Sequence, residues 1–128
     1  MLASSNYACS AYVVTNAFGS VIAADGSVLK GPAEPEKALA TMITSQKPTL
    51  LTNTTLAFVV TNVKLDRSGL LRVLKVASAG FARAIRPVFT PVDGDVDVAA
   101  QVLYESLLGD MAAECVADAI RRCSGENL

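Results

Sequence analysis

The stretch that decides the fold is Asn53–Asn62, NTTLAFVVTN, in which a polar Asn-Thr step opens a run of apolar and β-branched residues. Such residues favour a β-strand. Pro48 lies just upstream and cannot continue the preceding helix, because proline has no amide hydrogen. The pattern therefore places Thr54 where a loop enters a buried strand.

A threonine at that position suits an amino-terminal nucleophile. In enzymes of this kind the chain cuts itself before a Thr, Ser or Cys, and the freed α-amine then acts as base for the neighbouring side chain. The pair Thr54-Thr55 is equally ordinary strand sequence, because threonine has high β-propensity. The pattern alone leaves both interpretations open.

Composition narrows the class of protein. The 128 residues suit a single domain over residues 1–128, and 52% hydrophobic residues supply material for a core. A formal net charge of -1, 5% aromatic residues and no tryptophan argue against a nucleic-acid partner. No apolar run is long enough for a secretory signal or a membrane span, so we expect a cytoplasmic protein without a membrane partner.

The chain contains no histidine, which excludes histidine-based catalytic triads and the usual histidine-containing zinc sites. Its cysteines, Cys9, Cys115 and Cys123, form no CxxC pair. We therefore expect reduced thiols and predict neither a cofactor nor a metal site. Catalysis in this chain has to use other side chains, such as hydroxyls, carboxylates and amides.

Hydrophobic periodicity predicts a mixed order of elements. The expected strands are Ala11–Thr15, Ser20–Ala23, Val28–Leu29, Thr54–Asn62 and two short pieces within Val88–Val98, and the expected helices are Glu34–Thr44, Asp66 to about Ile85, and Ala99–Cys123. This order indicates an α/β or α+β fold in layers.

Two elements carry specific packing predictions. We expect the strand Thr54–Asn62 to be central, buried on both faces and flanked by Ala11–Thr15. We expect the helix that follows to pack on the sheet through an apolar stripe, and Gly80 to mark a close approach of another backbone. The stripe comprises Leu70, Leu71, Leu74, Ala77, Phe81 and Ile85.

Three further residues are candidates for chemistry. Asn16 suits turn geometry before Gly19, and its amide can also donate to a developing oxyanion. Asp93 and Asp95 flank a glycine in a sequence typical of turns, and two such carboxylates can also polarise a hydroxyl or hold an ammonium group.

The order of these pieces resembles the DmpA-type aminopeptidases, which include β-peptidyl aminopeptidases and the nylon-oligomer hydrolase. Residues 12–19, YVVTNAFG, are similar to the family's V-x-N-x-x-G strand and turn, and residues 53–62 to its self-cleavage site. Residues 80–88, GFARAIRPV, are similar to its helix exit, and residues 90–95, TPVDGD, to its T-x-x-D-G-D turn. The resemblance runs in one register from about residue 11 to 96.

This resemblance implies a layered sandwich of sheets and helices, like that of the more distant ornithine acetyltransferases. It implies self-cleavage between Asn53 and Thr54, with Thr54 as nucleophile, Asn16 assisting the oxyanion, and Asp93 and Asp95 beside the nucleophile. The implied substrates are amino-terminal residues or small amides, hydrolysed through an acyl-enzyme on Thr54. Relatives commonly assemble as tetramers, which implies a homo-oligomer.

The chain also departs from the family. Relatives are longer, mainly upstream of the strand that carries Asn16, and that region supplies part of the sheets and of the active site. We therefore expect this chain to correspond to the carboxy-terminal portion, associating with itself or with a missing upstream chain. A strand and loop after Asp95 are expected to be shortened or lost. The alternatives are a catalytically inactive remnant that acts as a structural or partner-binding module and, more weakly, an acetyltransferase relative.

Overall fold

Two small β-sheets packed against helices form a mixed α/β fold in the computed structural model, which describes residues 2–4, 7–45, 53–90, 96–100 and 105–125. The described elements are β1 (Leu2–Ser4), β2 (Tyr7–Val14), β3 (Ser20–Ile22), β4 (Val28–Lys30), α1 (Pro35–Thr44), β5 (Leu56–Thr61), α2 (Arg67–Ala77), α3 (Ala79–Ala84), β6 (Ile85–Arg86), β7 (Val96–Ala100) and α4 (Glu105–Cys123). Within this described part, no helix combines the length and the hydropathy needed to cross a membrane.

The larger sheet has the strand order β1-β2-β5-β7. Strand β5 pairs antiparallel with β2, placing Phe58 opposite Tyr12 and Leu56 opposite Val14, and it pairs in parallel with β7. The prediction that the strand after Thr54 lies centrally, beside the strand that contains Ala11, is therefore confirmed.

The two faces of this sheet differ. Inward-facing residues such as Cys9, Ala57 and Val59 are buried in the core. The opposite face carries five exposed apolar side chains, which we call the open sheet face: Tyr12, Val14, Leu56, Phe58 and Val60, with exposed fractions of 66%, 69%, 47%, 45% and 38%. The prediction that β5 is buried on both faces is therefore wrong, because no described element covers this side.

The smaller sheet has the order β4-β3-β6 and joins two distant parts of the sequence. Strands β3 and β4 form the predicted hairpin, whose turn is closed by the Asp25 carboxylate accepting from the amide and hydroxyl of Ser27. These hydrogen bonds hold the pKa of Asp25 below its ordinary value. On its other edge, β3 pairs with β6, so that Ser20 lies opposite Arg86.

The long helix predicted after Asp66 is interrupted. Asp66 caps α2 by accepting a hydrogen bond from the amide of Gly69, but the helix ends at Ala77 and restarts as α3 after Ser78. Phe81 is buried and Leu74 is half-buried, whereas Leu71 is 54% exposed. The prediction that Leu71 belongs to the buried apolar stripe is therefore wrong. Helix α2 packs mainly against α4, which itself lies over β2.

Glycine positions explain how closely these helices approach. A Cβ atom on Gly80 would lie 2.4 Å from the carbonyl oxygen of Ala113 in α4, which confirms the predicted close approach of another backbone. A Cβ atom on Gly109 would lie 2.6 Å from the Val76 side chain. Gly109 therefore serves the contact between α4 and α2 and does not break α4.

The final helix begins later than predicted. Ala99 and Ala100 belong to β7, where they lie beside Val59 and Val60, and α4 is described from Glu105. Alanine has the highest helix propensity, but the differences between ordinary residues amount to less than about 1 kcal/mol per residue, and pairing with β5 outweighs them here. A strand is therefore present after Asp95 and is not lost, whereas its shortening relative to the family stays a prediction.

Candidate functional site

Thr54 lies two residues before the start of β5, a central strand of the larger sheet. Its hydroxyl donates a hydrogen bond of 2.7 Å to the carbonyl oxygen of Asn53, and the side chain is half-buried. The predicted nucleophile therefore contacts the carbonyl group of the peptide bond that the resemblance implies is cut.

Asn16 lies directly beside Thr54. The Thr54 amide donates a hydrogen bond of 2.9 Å to the backbone carbonyl of Asn16, extending the pairing of β2 with β5 beyond Val14 and Leu56. Asn16 and Thr54, two predicted site residues that lie 38 positions apart in the sequence, are thus in contact. The contact uses the backbone of Asn16, whereas the resemblance implies a role for its side-chain amide.

The turn after Asn16 is fixed by the segment that follows α3. A Cβ atom on Gly19 would lie 2.0 Å from the carbonyl oxygen of Pro87, so only glycine fits this contact without displacement of the backbone. The Arg86–Pro87 peptide bond is cis. The V-x-N-x-x-G segment and the helix-exit segment therefore touch in the folded chain.

The remaining predicted site residues, Asp93 and Asp95, lie outside the described residues, and their roles stay predictions. Phe89 and Thr90 are the last described residues before them. Thr90 is buried, and the φ of 54° at Phe89 is unusual for a non-glycine residue. Phe89 packs edge-on against Phe81, with ring centroids 5.9 Å apart.

Basic residues near the helix exit have different environments. Arg83 bonds to Glu114 and donates to Asp110 at 2.9 Å, which joins α3 to α4. The hydrogen bond to Asp110 is the main cause that raises the pKa of Arg83. Arg83 is thus a structural link between the two helices.

The sequence did not indicate a cavity of about 200 Å³ that lies beside Asn16. Thr15, Phe18 and Lys30 line it together with Asn16. Thr15 precedes Asn16 directly, but nothing in the spacing of Lys30 connects it to that position. The pairing of β3 with β4 creates the proximity, so the cavity is a product of tertiary structure.

The described residues hold no group of three or more Cys, Asp or Glu side chains arranged to bind a metal ion. Cys9, Cys115 and Cys123 are free thiols. Cys115 lies against Cys9 in the core and donates to its carbonyl oxygen at 3.3 Å.

Comparison with models of known protein families shows which family the chain belongs to. Peptidase family S58, to which the DmpA-type aminopeptidases belong, matches residues 1–122 of the 128 residues. The chain is therefore a member of peptidase family S58. No curated protein matches it.

Proposed function

We propose that this chain is an amino-terminal nucleophile hydrolase that cleaves amino-terminal residues or small amides through an acyl-enzyme on Thr54. The observation that carries the proposal is the 2.7 Å contact of the Thr54 hydroxyl with the carbonyl oxygen of Asn53. Membership of peptidase family S58 supports the reaction class.

The first step is self-cleavage. The Thr54 hydroxyl oxygen attacks the Asn53 carbonyl carbon, the peptide C–N bond breaks, and the nitrogen of Thr54 takes up the hydroxyl proton. Water then hydrolyses the resulting ester, leaving a carboxylate on Asn53 and a free α-amine on Thr54. The carbonyl of Asn16 already accepts from this nitrogen at 2.9 Å, so it holds the new amine beside the hydroxyl.

The second step is turnover of substrate. The Thr54 amine takes the hydroxyl proton while the hydroxyl oxygen attacks the substrate amide carbon, and the leaving amine receives that proton. Asn16 stabilises the oxyanion, a contribution worth ~100- to 1000-fold in rate for one donor. Asp93 and Asp95 are proposed to hold charged groups beside the nucleophile.

The test measures hydrolysis of aminoacyl p-nitroanilides by the wild type and two matched variants. Thr54→Ser keeps a hydroxyl and is expected to retain turnover. Thr54→Val has nearly the same shape without the hydroxyl and is expected to have none. Equal turnover by Thr54→Val and the wild type would remove Thr54 as nucleophile.

A specific observation favours a second function, that of a module which associates with a copy of itself. The open sheet face exposes an apolar patch on the order of 500 Å², the upper end of what monomers expose. The described side chains that form it carry no charge, and the chain's net charge of -1 opposes self-association little. A two-fold contact through both copies would bury roughly 1,000 Å², which is the lower limit for a specific interface.

We propose a second copy as the occupant of the open sheet face. Face-to-face packing of two such sheets, about 10 Å apart, would create the layered sandwich that the family resemblance implies. Light scattering during gel filtration is expected to show a dimer for the wild type and for Leu71→Lys, which changes an exposed apolar residue on α2. Phe58→Lys is expected to be monomeric, and a monomeric wild type would refute this proposal.

A further inference from the structure

The cavity beside Asn16 has the size of an amino-acid side chain. It lies between the end of β2, strand β3 and the end of β4, and its volume of about 200 Å³ equals several water molecules at roughly 30 Å³ each. Phe18, Val21 and Pro32 provide apolar walls. Such a cavity suits a small group with an aliphatic stem.

The charge that lines the cavity is positive. Lys30 is the charged residue among those that line it. Within the described part of the chain, the Lys30 ammonium group forms no ion pair or side-chain hydrogen bond. The hydroxyl oxygen of Thr15, which lines the same cavity, is buried and has no hydrogen-bond partner among the described residues.

These two groups indicate what the cavity receives. The exposed Lys30 ammonium group, which has no ion pair among the described residues, attracts an anion. The buried Thr15 hydroxyl, which has no partner among those residues, is stabilised by a ligand that accepts its hydrogen bond. One cation and one hydroxyl match a single carboxylate. The apolar walls match the methylene groups that precede a carboxylate in a small organic acid.

We propose that this cavity binds a carboxylate of the substrate, with Lys30 and Thr15 as the recognising residues. The inference rests on the proposed function, because the connection of the cavity to the reaction is Asn16. This residue lines the cavity and accepts the amide hydrogen of Thr54. A substrate amide carbon at Thr54 therefore has its neighbouring groups within reach of the cavity.

The carboxylate has two sources, an acidic side chain on the acyl part or the free carboxyl end of the leaving amine. Binding to Thr54→Ala, which cannot turn substrate over, distinguishes them by ¹⁵N–¹H NMR titration. Aspartyl p-nitroanilide is compared with its neutral analogue asparaginyl p-nitroanilide, and alanyl-glycine with alanyl-glycinamide. We expect one acid to bind about five- to tenfold more tightly than its neutral analogue, with amide shifts at residues 15–19 and 30–31.

Variants at Lys30 identify the partner of the carboxylate. Lys30→Gln in the same background is expected to abolish the preference, Lys30→Arg to keep it, and Lys64→Gln, which changes an exposed lysine elsewhere, to leave it unchanged. The preference is also expected to weaken with added salt. Equal binding of each acid and its neutral analogue, or a preference that survives Lys30→Gln, would overturn the proposal.

This measurement is independent of catalysis. Binding that depends on Lys30, in a protein whose wild type shows no turnover, would support the carboxylate site and refute the hydrolase. Turnover that depends on Thr54, without any preference for acids, would support the hydrolase and refute the carboxylate site.

Discussion

Replacement of Gly80 by alanine tests the close packing of α3 on α4. A Cβ atom at this position would lie 2.4 Å from the carbonyl oxygen of Ala113 and 2.7 Å from the Val116 Cβ atom. Alanine improves helix propensity by about 1 kcal/mol, whereas overpacking a core costs about 1–3 kcal/mol and a backbone neighbour yields least. Because the neighbour is a backbone carbonyl, we take the upper part of the overpacking range, about 2–3 kcal/mol, and expect Gly80→Ala to lower the free energy of unfolding by about 1–2 kcal/mol net.

The assay is urea denaturation followed by circular dichroism, in a Thr54→Ala background so that the chain stays in one piece. The matched control is Ala82→Gly, at an exposed position of the same helix, where alanine is expected to be the better residue by about 1 kcal/mol. The more stable protein is thus expected to carry glycine at position 80 and alanine at position 82. A Gly80→Ala protein as stable as its parent would refute the close packing.

Three further results are expected. Phe81→Ala should lower the free energy of unfolding by about 3–5 kcal/mol because Phe81 is fully buried. Leu71→Ala should change it by less than about 0.5 kcal/mol because Leu71 is exposed, and equal effects of the two variants in urea denaturation would contradict the assigned burial. Arg121→Met should cost about 1–3 kcal/mol because the Ile22 and Arg83 carbonyl oxygens lose their donor, and thermal unfolding no different from the wild type would contradict these contacts. The pKa of Cys9 is raised by its hydrogen bond with Cys115 and by burial, so the folded chain binds the thiol proton more tightly than the unfolded chain does. This stabilisation is complete below about pH 8.5 and declines at higher pH. A urea midpoint that falls with rising pH as steeply in Cys9→Ala as in the wild type would contradict that cause.

Much of the fold follows from local sequence signals. The hairpin around Asp25, the cap at Asp66 and the contact at Gly80 were predictable because each depends on a residue type with a specific local role. The open sheet face was not, because an alternating strand and a fully buried strand differ only in what covers the second face, and Leu56, Phe58 and Val60 suit either. The strand at Ala99 and Ala100 was missed because pairing with β5 is a long-range interaction.

The candidate site divides in the same way. The proximity of Thr54 and Asn16 was predicted from a family resemblance, since the two residues lie 38 positions apart in the sequence and no periodicity connects them. The cavity with Lys30 was not predicted, because the hairpin register brings that residue to the wall. The contact between Gly19 and Pro87 joins two separate motifs, because a side chain on residue 19 would collide with the Pro87 carbonyl oxygen.

The most direct test of the proposed function is the intact mass of the purified protein, compared between the wild type and Thr54→Val. Self-cleavage by Thr54 predicts two polypeptides for the wild type, residues 1–53 and 54–128, whose masses sum to the mass of the full chain plus one water. It predicts a single full-length species for Thr54→Val, because the hydroxyl that contacts the Asn53 carbonyl is absent. An uncut wild-type chain, or the same cut in Thr54→Val, would contradict self-cleavage by Thr54.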